Sequence, residues 1–244
     1  IDAAIAGGAE VPLSPLAFGA FDIIRALSAG RNDRPEAAAR PFDASRDGFV
    51  MGEGAALLVL ELAEAAERRG AVPYAEIRGY GASSDAHHMV QPGPDGTQAA
   101  RAARIALEDG AVAAAEVDYV NAHASATPIG DLAESRAIAA VLGDGARVPV
   151  SGTKALYGHP LGASGAIEAA ICALAIRDGW VPPSVNLEQP SDEIAAHLPG
   201  LLTVGRSGSY RRVLSTSFGF GGLNAALVFG AAEDPVGRRA GAPT

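Results

Sequence analysis

An α/β fold is predicted by three observations on this chain of 244 residues. Short apolar, strand-like runs alternate with Ala-rich helical segments along most of its length. The clusters of polar and glycine residues fall where a strand ends or a helix begins, which is where sheet-based sites sit. Apolar residues make up 48% and charged residues 19%, enough for an ordinary globular core.

Taken in order, residues 1–7 read as a short apolar strand in the middle of a buried sheet, running into a glycine turn. Residues 16–27 have helical spacing, with Phe18, Phe21, Ile24 and Leu27 among the apolar positions. Residues 31–47 are polar and turn-rich. A strand at 56–60 is followed by Ala, Glu and Arg that favour a helix over 61–70. A second block opens with a strand at 74–79 and an Ala-rich helix at 96–108. A strand at 117–121 feeds His123. The helix predicted over 131–142 carries Asp131 and Glu134 in its first turns, where the macrodipole favours acids. A short strand at 148–151 and a buried, Ala-rich helix at 165–177 follow. Strands at 212–217 and 225–229 are joined by Phe218-Gly-Phe-Gly-Gly222. From residue 231, Pro, Gly and Arg without periodicity predict a disordered tail.

The net charge of −9 argues against non-specific nucleic-acid binding, which needs a basic surface. The single cysteine, Cys172, excludes an intrachain disulfide and fits a reducing compartment. No apolar run has the length of a membrane span, and the first residues are neither a start methionine nor a targeting segment. A cytoplasmic location is expected.

Four segments can carry chemistry. In Asn121-Ala-His-Ala-Ser-Ala-Thr-Pro-Ile-Gly-Asp131, a histidine just past a strand can present its imidazole to a cleft. The same residues also suit a helix start capped by Thr127, with Pro128 in its first turn and a structural histidine. The stretch from Ser151 to Glu168 holds Lys154, His159 and a helix of small residues, suited to close ligand approach or to tight packing. The turn from Ser217 to Asn224 offers backbone N–H groups for an oxyanion hole, or is a plain hairpin. The segment from Tyr80 to Met89 is a strand-end loop whose Asp85, His87 and His88 lack the further ligands a metal site needs. Cys172, with apolar neighbours on all sides, reads as an inert core residue.

Together and in this order, the segments resemble the condensing enzymes of the thiolase superfamily, most closely the elongating β-ketoacyl-(acyl carrier protein) synthases. The family pattern Asn-Ala-His-Gly-Thr-x-Thr-Pro-x-Gly-Asp is followed by Thr-Lys-Ser-x-x-Gly-His-x-x-Gly-Ala-x-Gly and Asn-Ser-Phe-Gly-Phe-Gly-Gly-x-Asn. The likeness also covers Ala6-Gly-Gly-Ala-Glu10, Arg40-Pro-Phe-Asp43, Asp47-Gly-Phe-Val50 and Arg177-Asp-Gly-Trp-Val-Pro-Pro183. It departs at Ala124, Ser125, Ala155, Tyr157 and Pro160. The run after His123 looks most like the mycolic-acid-type actinobacterial branch.

The resemblance implies a thiolase-like layered α-β-α-β-α fold. Residues 1–70 would end its N-terminal half, residues 71–230 would form the C-terminal half, and residues 231–244 the tail. It implies decarboxylating Claisen condensation of an acyl thioester with malonyl carrier protein in fatty-acid elongation. His123 and His159 would be the histidine pair and Lys154 the lysine beside it. Phe220 would gate the site and complete an oxyanion hole, flanked by Gly219 and Gly221. Ser125 and Thr127 would bind the phosphopantetheine arm. Glu168 and Asp131 would support the site, Asp85 and His88 would face the Phe220 loop from a second mobile loop, and Arg25 would lie on the carrier-protein surface. Neither cofactor nor metal is implied; the partners would be acyl carrier protein and a second copy in a homodimer. The nucleophilic cysteine is expected upstream of this portion, so activity of the chain by itself is expected to be poor. A split or chain-length-determining partner and a polyketide ketosynthase domain stay open. A thiolase is disfavoured by the lack of cysteine in the turn from Ser217 to Gly222, and a starter-type synthase by His159 where such enzymes carry asparagine.

Overall fold

The strand-like runs pair into three sheets in a computed structural model describing residues 1–143 and 147–232. The first joins β1 (Ala3–Glu10) and β2 (Gly54–Glu61) antiparallel, with Ala3 opposite Glu61 and Glu10 opposite Gly54. The central sheet has five strands. They are β3 (Glu76–Ser84), β4 (Tyr119–Ala122), β5 (Val150–Gly152), β8 (Arg212–Gly219) and β9 (Leu223–Gly230), in the order β3-β9-β8-β4-β5. Neighbours β3, β9 and β8 are antiparallel, whereas β8, β4 and β5 are parallel. A small ribbon pairs β6 (Trp180–Val181) with β7 (Arg206–Ser207).

Helix α5 (Ser164–Asp178) lies between the first sheet and the central one, packing on β1 and β2 from one side and on β8 and β9 from the other. It buries Ala169, Cys172, Ala173 and Ala175, because a helix apolar on most sides needs cover on most sides. The opposite face of the central sheet is covered by α3 (Thr97–Asp109), which packs against α4 (Pro128–Leu142) and, through it, α6 (Asp192–His197). The approach of α3 to β3 is close enough to require glycine. A Cβ on Gly79 would stand 2.1 Å from the carbonyl oxygen of Ala106, and one on Gly81 2.1 Å from that of Ala102.

Two short helices, α1 (Pro15–Ile23) and α2 (Ala63–Arg68), follow β1 and β2 respectively. The apolar positions of α1 are not buried, and Ile5, Leu57 and Val59 on the β1–β2 ribbon are exposed. The strand read over the first residues forms, and nothing among the described residues covers its outer face. Helix α1 also stops short of residue 27, since Arg25 adopts a left-handed φ of 51° and Leu27 bridges to Phe49. Tyr80 to Ser84 belong to β3 rather than to a loop, and α4 begins a turn early, with Pro128 in the first turn. From residue 233, the tail expected to be disordered lies outside the described residues. No helix among the described residues is long and apolar enough to cross a membrane.

Candidate active site

His123 follows β4 directly, so the end of an inner strand, paired on both sides, fixes its backbone. Its N–H donates to Glu134 on α4 at 2.8 Å, and the N–H of Ala124 donates to the other oxygen of that carboxylate at 2.7 Å. The hydroxyl of Thr216 on β8 donates to Glu134 as well, at 2.7 Å. One turn earlier on α4, Asp131 accepts the N–H of Ala126 at 2.9 Å and that of Phe42 at 2.7 Å. Both acids are buried and face inward, so attraction to the helix N-terminus is not their main role. Burial pushes the Asp131 carboxyl up to about 7 despite the Arg46 charge beside it, and raises Glu134 too.

Lys154 sits on a 3-10 turn, Thr153–Leu156, immediately after β5. Its ammonium donates to the Glu168 carboxylate on α5 and to the His123 carbonyl, and stands 3.4 Å from His123 Nδ1. Burial pushes Glu168 up to about 7 against the pull of Lys154. The second Glu168 oxygen and the side-chain amide of Asn121 are buried without a hydrogen-bond partner among the described residues.

His159 is held by backbone bonds to the residue 50–52 segment: its N–H donates to Val50 at 2.7 Å, and Gly52 donates to its carbonyl at 3.1 Å. Its Nδ1 lies 2.9 Å from the hydroxyl of Ser164, the first residue of α5. The His123 and His159 rings stand edge to face, 5.3 Å between centroids. Phe49 packs against His159 at 5.2 Å and Phe218 against His123 at 5.6 Å. Burial, with the Lys154 charge next, drives both imidazoles well below their ordinary 6.5, so both are neutral at pH 7.

The turn between β8 and β9 is a tight hairpin, with Gly219 opposite Leu223. Phe220 at its tip is half exposed and faces Phe21 of α1 at 6.1 Å. Gly221 and Gly222 have φ of 83° and 76°. The segment after β3 is stitched to this turn: Asp85 N–H donates to Gly222 at 2.8 Å, Gly221 N–H to Met89 at 2.9 Å, and the Asn224 amide to Asp85 at 2.6 Å. His88 instead accepts from the N–H groups of Val90 and Gln91 within its own loop. Thr127 is the N-cap residue of α4, yet its hydroxyl does not cap the helix; it lies 3.0 Å from the Ser125 hydroxyl. Arg25 is exposed. Cys172 is fully buried in α5 and its thiol is pushed up to about 12 by burial, which makes it a poor nucleophile.

The arrangement gathers His123 at the end of β4, Lys154 just after β5, His159 on the 50–52 segment and Glu168 on α5 into one buried cluster with two neutral imidazoles. The model of the β-ketoacyl synthase N-terminal domain matches residues 1–66 and that of the C-terminal domain residues 74–188. The chain is 48% identical over 228 residues to the 3-oxoacyl-[acyl-carrier-protein] synthase 2 of Coxiella burnetii, covering 93% of this chain and 54% of that protein. The chain belongs to the β-ketoacyl synthase family. The 3-oxoacyl-[acyl-carrier-protein] synthase 2 of Rhizobium meliloti is also 48% identical, over 93% of this chain and 53% of that protein. This β-ketoacyl synthase chain thus spans about half the length of the curated relatives it matches. Among solved structures it resembles a β-ketoacyl synthase from Burkholderia phymatum, with a TM-score of 0.89, 43% identity and coverage of 95% of this chain and 55% of that one. A type II polyketide ketosynthase, solved in complex with its acyl-carrier protein and bound to a hexaketide, gives a TM-score of 0.89 at 37% identity, over 95% of this chain and 56% of that one. The thiolase-like α/β fold expected from the motifs is therefore the fold of this family member.

Sequence reasoning did not single out Glu134 as the anchor of the His123 loop, Ser164 as the partner of His159, or Phe49 and Phe218 as the ring walls. Asp131 and Glu134 stand three apart on one helix face, the spacing that brings both to the same loop. That spacing was a usable signal. The pairing of Ser164 with His159 was not legible, because it depends on how the turn before α5 folds back.

Proposed function

We propose that this chain supplies the decarboxylating half of a β-ketoacyl-(acyl carrier protein) synthase site, with acyl carrier protein as the partner that delivers substrate. The observation that carries the reading is the pair of neutral imidazoles, 5.3 Å between ring centroids, with Lys154 behind His123. In a malonyl thioester, the bond to the free carboxylate breaks, carbon dioxide leaves and the electron pair moves onto the thioester oxygen. The enolate carbon then attacks the acyl thioester carbonyl, a carbon–carbon bond forms and a thiolate departs.

His123 and His159 are assigned to the thioester oxygen. The Lys154 ammonium has only protons to offer, so His123 Nδ1 accepts and the ring proton resides on Nε2, free to donate to an oxyanion. The Ser164 hydroxyl can donate to His159 Nδ1, and that direction leaves the ring proton on Nε2 there too. Burial removes competing water, and the strand-end placement of His123 and the backbone bonds of His159 to Val50 and Gly52 leave little to reorganise as charge develops. The Phe220 N–H is assigned to the acyl-side oxyanion, with Gly219 and Gly221 giving the turn its shape. Ser125 and Thr127 are assigned to the phosphopantetheine arm. Glu168 keeps Lys154 in place. Cys172 does not hold the acyl group in this reading, since it is buried with a raised thiol pKa.

Retention of His123, Lys154 and His159 favours this role over a non-catalytic chain-length partner. The test is carbon dioxide release from malonyl carrier protein by the protein as the cell makes it. His123→Ala, His159→Ala and Lys154→Ala should each lower the rate on the order of a hundredfold or more, the scale of losing an oxyanion donor. Wild-type rates in the two histidine variants would sink the assignment.

A further inference from the structure

Arg46 reaches across to the segment that carries Ser125 and Thr127. Its Nη2 donates to the Pro128 carbonyl at 2.7 Å, Nε to the Thr127 carbonyl at 3.3 Å, and Nη1 to the Asp43 carbonyl at 2.9 Å. Nε also stands 3.6 Å from the Asp131 carboxylate. The guanidinium is largely buried, so these acceptors replace water around it.

The turn it grips needs such support. Ala124 and Ala126 hold left-handed φ values of 41° and 68°, which residues with a Cβ adopt only when their surroundings impose them. For Ala124 the imposing contact is Glu134, and for Ala126 the contacts come from the 42–48 segment and from Asp131. The Gly48 N–H donates to the Ala126 carbonyl at 3.1 Å. Gly48 itself has φ of 149°, and a Cβ there would lie 2.4 Å from the Leu27 carbonyl carbon, so the segment is seated tightly. Asp43, the platform for the other end of Arg46, is tied down in turn. One oxygen accepts Arg40 at 3.0 Å, and the other accepts the N–H groups of Glu188 at 2.9 Å and Gln189 at 3.0 Å.

We infer that Arg46 is a positioning residue, fixing where the Ser125 and Thr127 hydroxyls stand along the path of the pantetheine arm. The inference rests on the arm-binding reading above. The Thr127 hydroxyl is not spent on capping α4 and meets the Ser125 hydroxyl at 3.0 Å, so the backbone that Arg46 holds places the two together. A planar fork can satisfy three carbonyls on two chain segments at once; a lysine ammonium in its place keeps the charge near Asp131 but cannot span them.

The experiment is steady-state condensation by the protein as the cell makes it, with Arg46→Lys, Thr127→Val and the double variant. Arg46→Lys should raise KM for malonyl carrier protein on the order of tenfold and leave kcat within about twofold. Thr127→Val should raise KM similarly, and the double variant should be no worse than either single one, because both act on one contact. With the malonyl thioester of ethanethiol, which has no arm, Arg46→Lys should leave KM unchanged. A fall in kcat at constant KM, additive effects, or an equal KM change with the armless thioester would overturn the inference. If Thr127→Val and Ser125→Ala both leave KM unchanged, the arm-binding reading fails; if they raise it and Arg46→Lys does not, the Arg46 inference alone fails. Should Arg46→Lys not fold, Arg46→Gln is measured in the same way, and failure of both to fold would assign Arg46 to stability and overturn the inference.

Discussion

The carboxylate of Glu134 accepts the backbone N–H of His123 at 2.8 Å, and that one bond ties the end of a central strand to the helix that covers it. Its other oxygen takes Ala124, and Thr216 shares the first. Three donors from two chain segments therefore converge on one buried charge. Glu134→Ala would leave them without an acceptor in a site that excludes water. The expected loss is about 3 kcal/mol or more of unfolding free energy, read by urea denaturation. A change below about 1 kcal/mol, the worth of one ordinary hydrogen bond, would show that the loop does not depend on Glu134.

Stability should respond to pH through two opposed sets of groups. Burial holds His123 and His159 below 6.5, so as pH falls past 6.5 the unfolded chain binds protons that the folded one refuses. Their contribution is present above 6.5 and is lost toward acid. Asp131 and Glu168 are raised from 3.8 and 4.5 to about 7, so the folded chain holds protons that the unfolded one has released. Their contribution is present below the unfolded values and is lost as pH rises through about 7. Between about pH 4.5 and 6.5 the two sets cancel in part. A His123→Asn, His159→Asn double variant removes one side, and its urea midpoint should fall as pH rises from 5 to 7. A midpoint that stays level or rises across that range would contradict the burial of the two carboxyls.

Cys172 should be chemically silent in the native protein. It has no exposed surface and its thiol is raised to about 12. Peptide mapping after treatment with an aromatic disulfide reagent should find Cys172 unmodified in native buffer and fully modified in denaturant. Cys172→Ala should leave condensation unchanged and cost about 1 kcal/mol of stability, the scale of a small buried side chain. Loss of condensation with the fold intact would reopen the question of the nucleophile.

Gly81→Ala tests the packing of α3 on β3. The added Cβ would stand 2.1 Å from the Ala102 carbonyl oxygen and 2.5 Å from the Ala106 nitrogen, both backbone atoms of a helix. Since backbone cannot yield as a side-chain end does, the helix must move, with an expected cost of about 2 kcal/mol or more. Thermal unfolding reads it; an unchanged melting temperature would mean that the approach of helix to strand is looser than this geometry.

The sequence by itself determined the α/β class, the order of the main strands and helices, and the pair His123 and His159 with Lys154. These were legible because short-range pattern carries them: apolar runs of strand length, Ala-rich stretches, and ordered motifs around each histidine. Only the tertiary structure decided what surrounds them. That Glu134 anchors His123, that Ser164 meets His159, and that Arg46 crosses to the Thr127 turn depend on contacts between residues far apart in the chain, which no local spacing encodes. The same holds for the open outer face of β1. An apolar strand looks alike in sequence whether its face is covered or open, because cover is supplied by other elements and not by the strand itself.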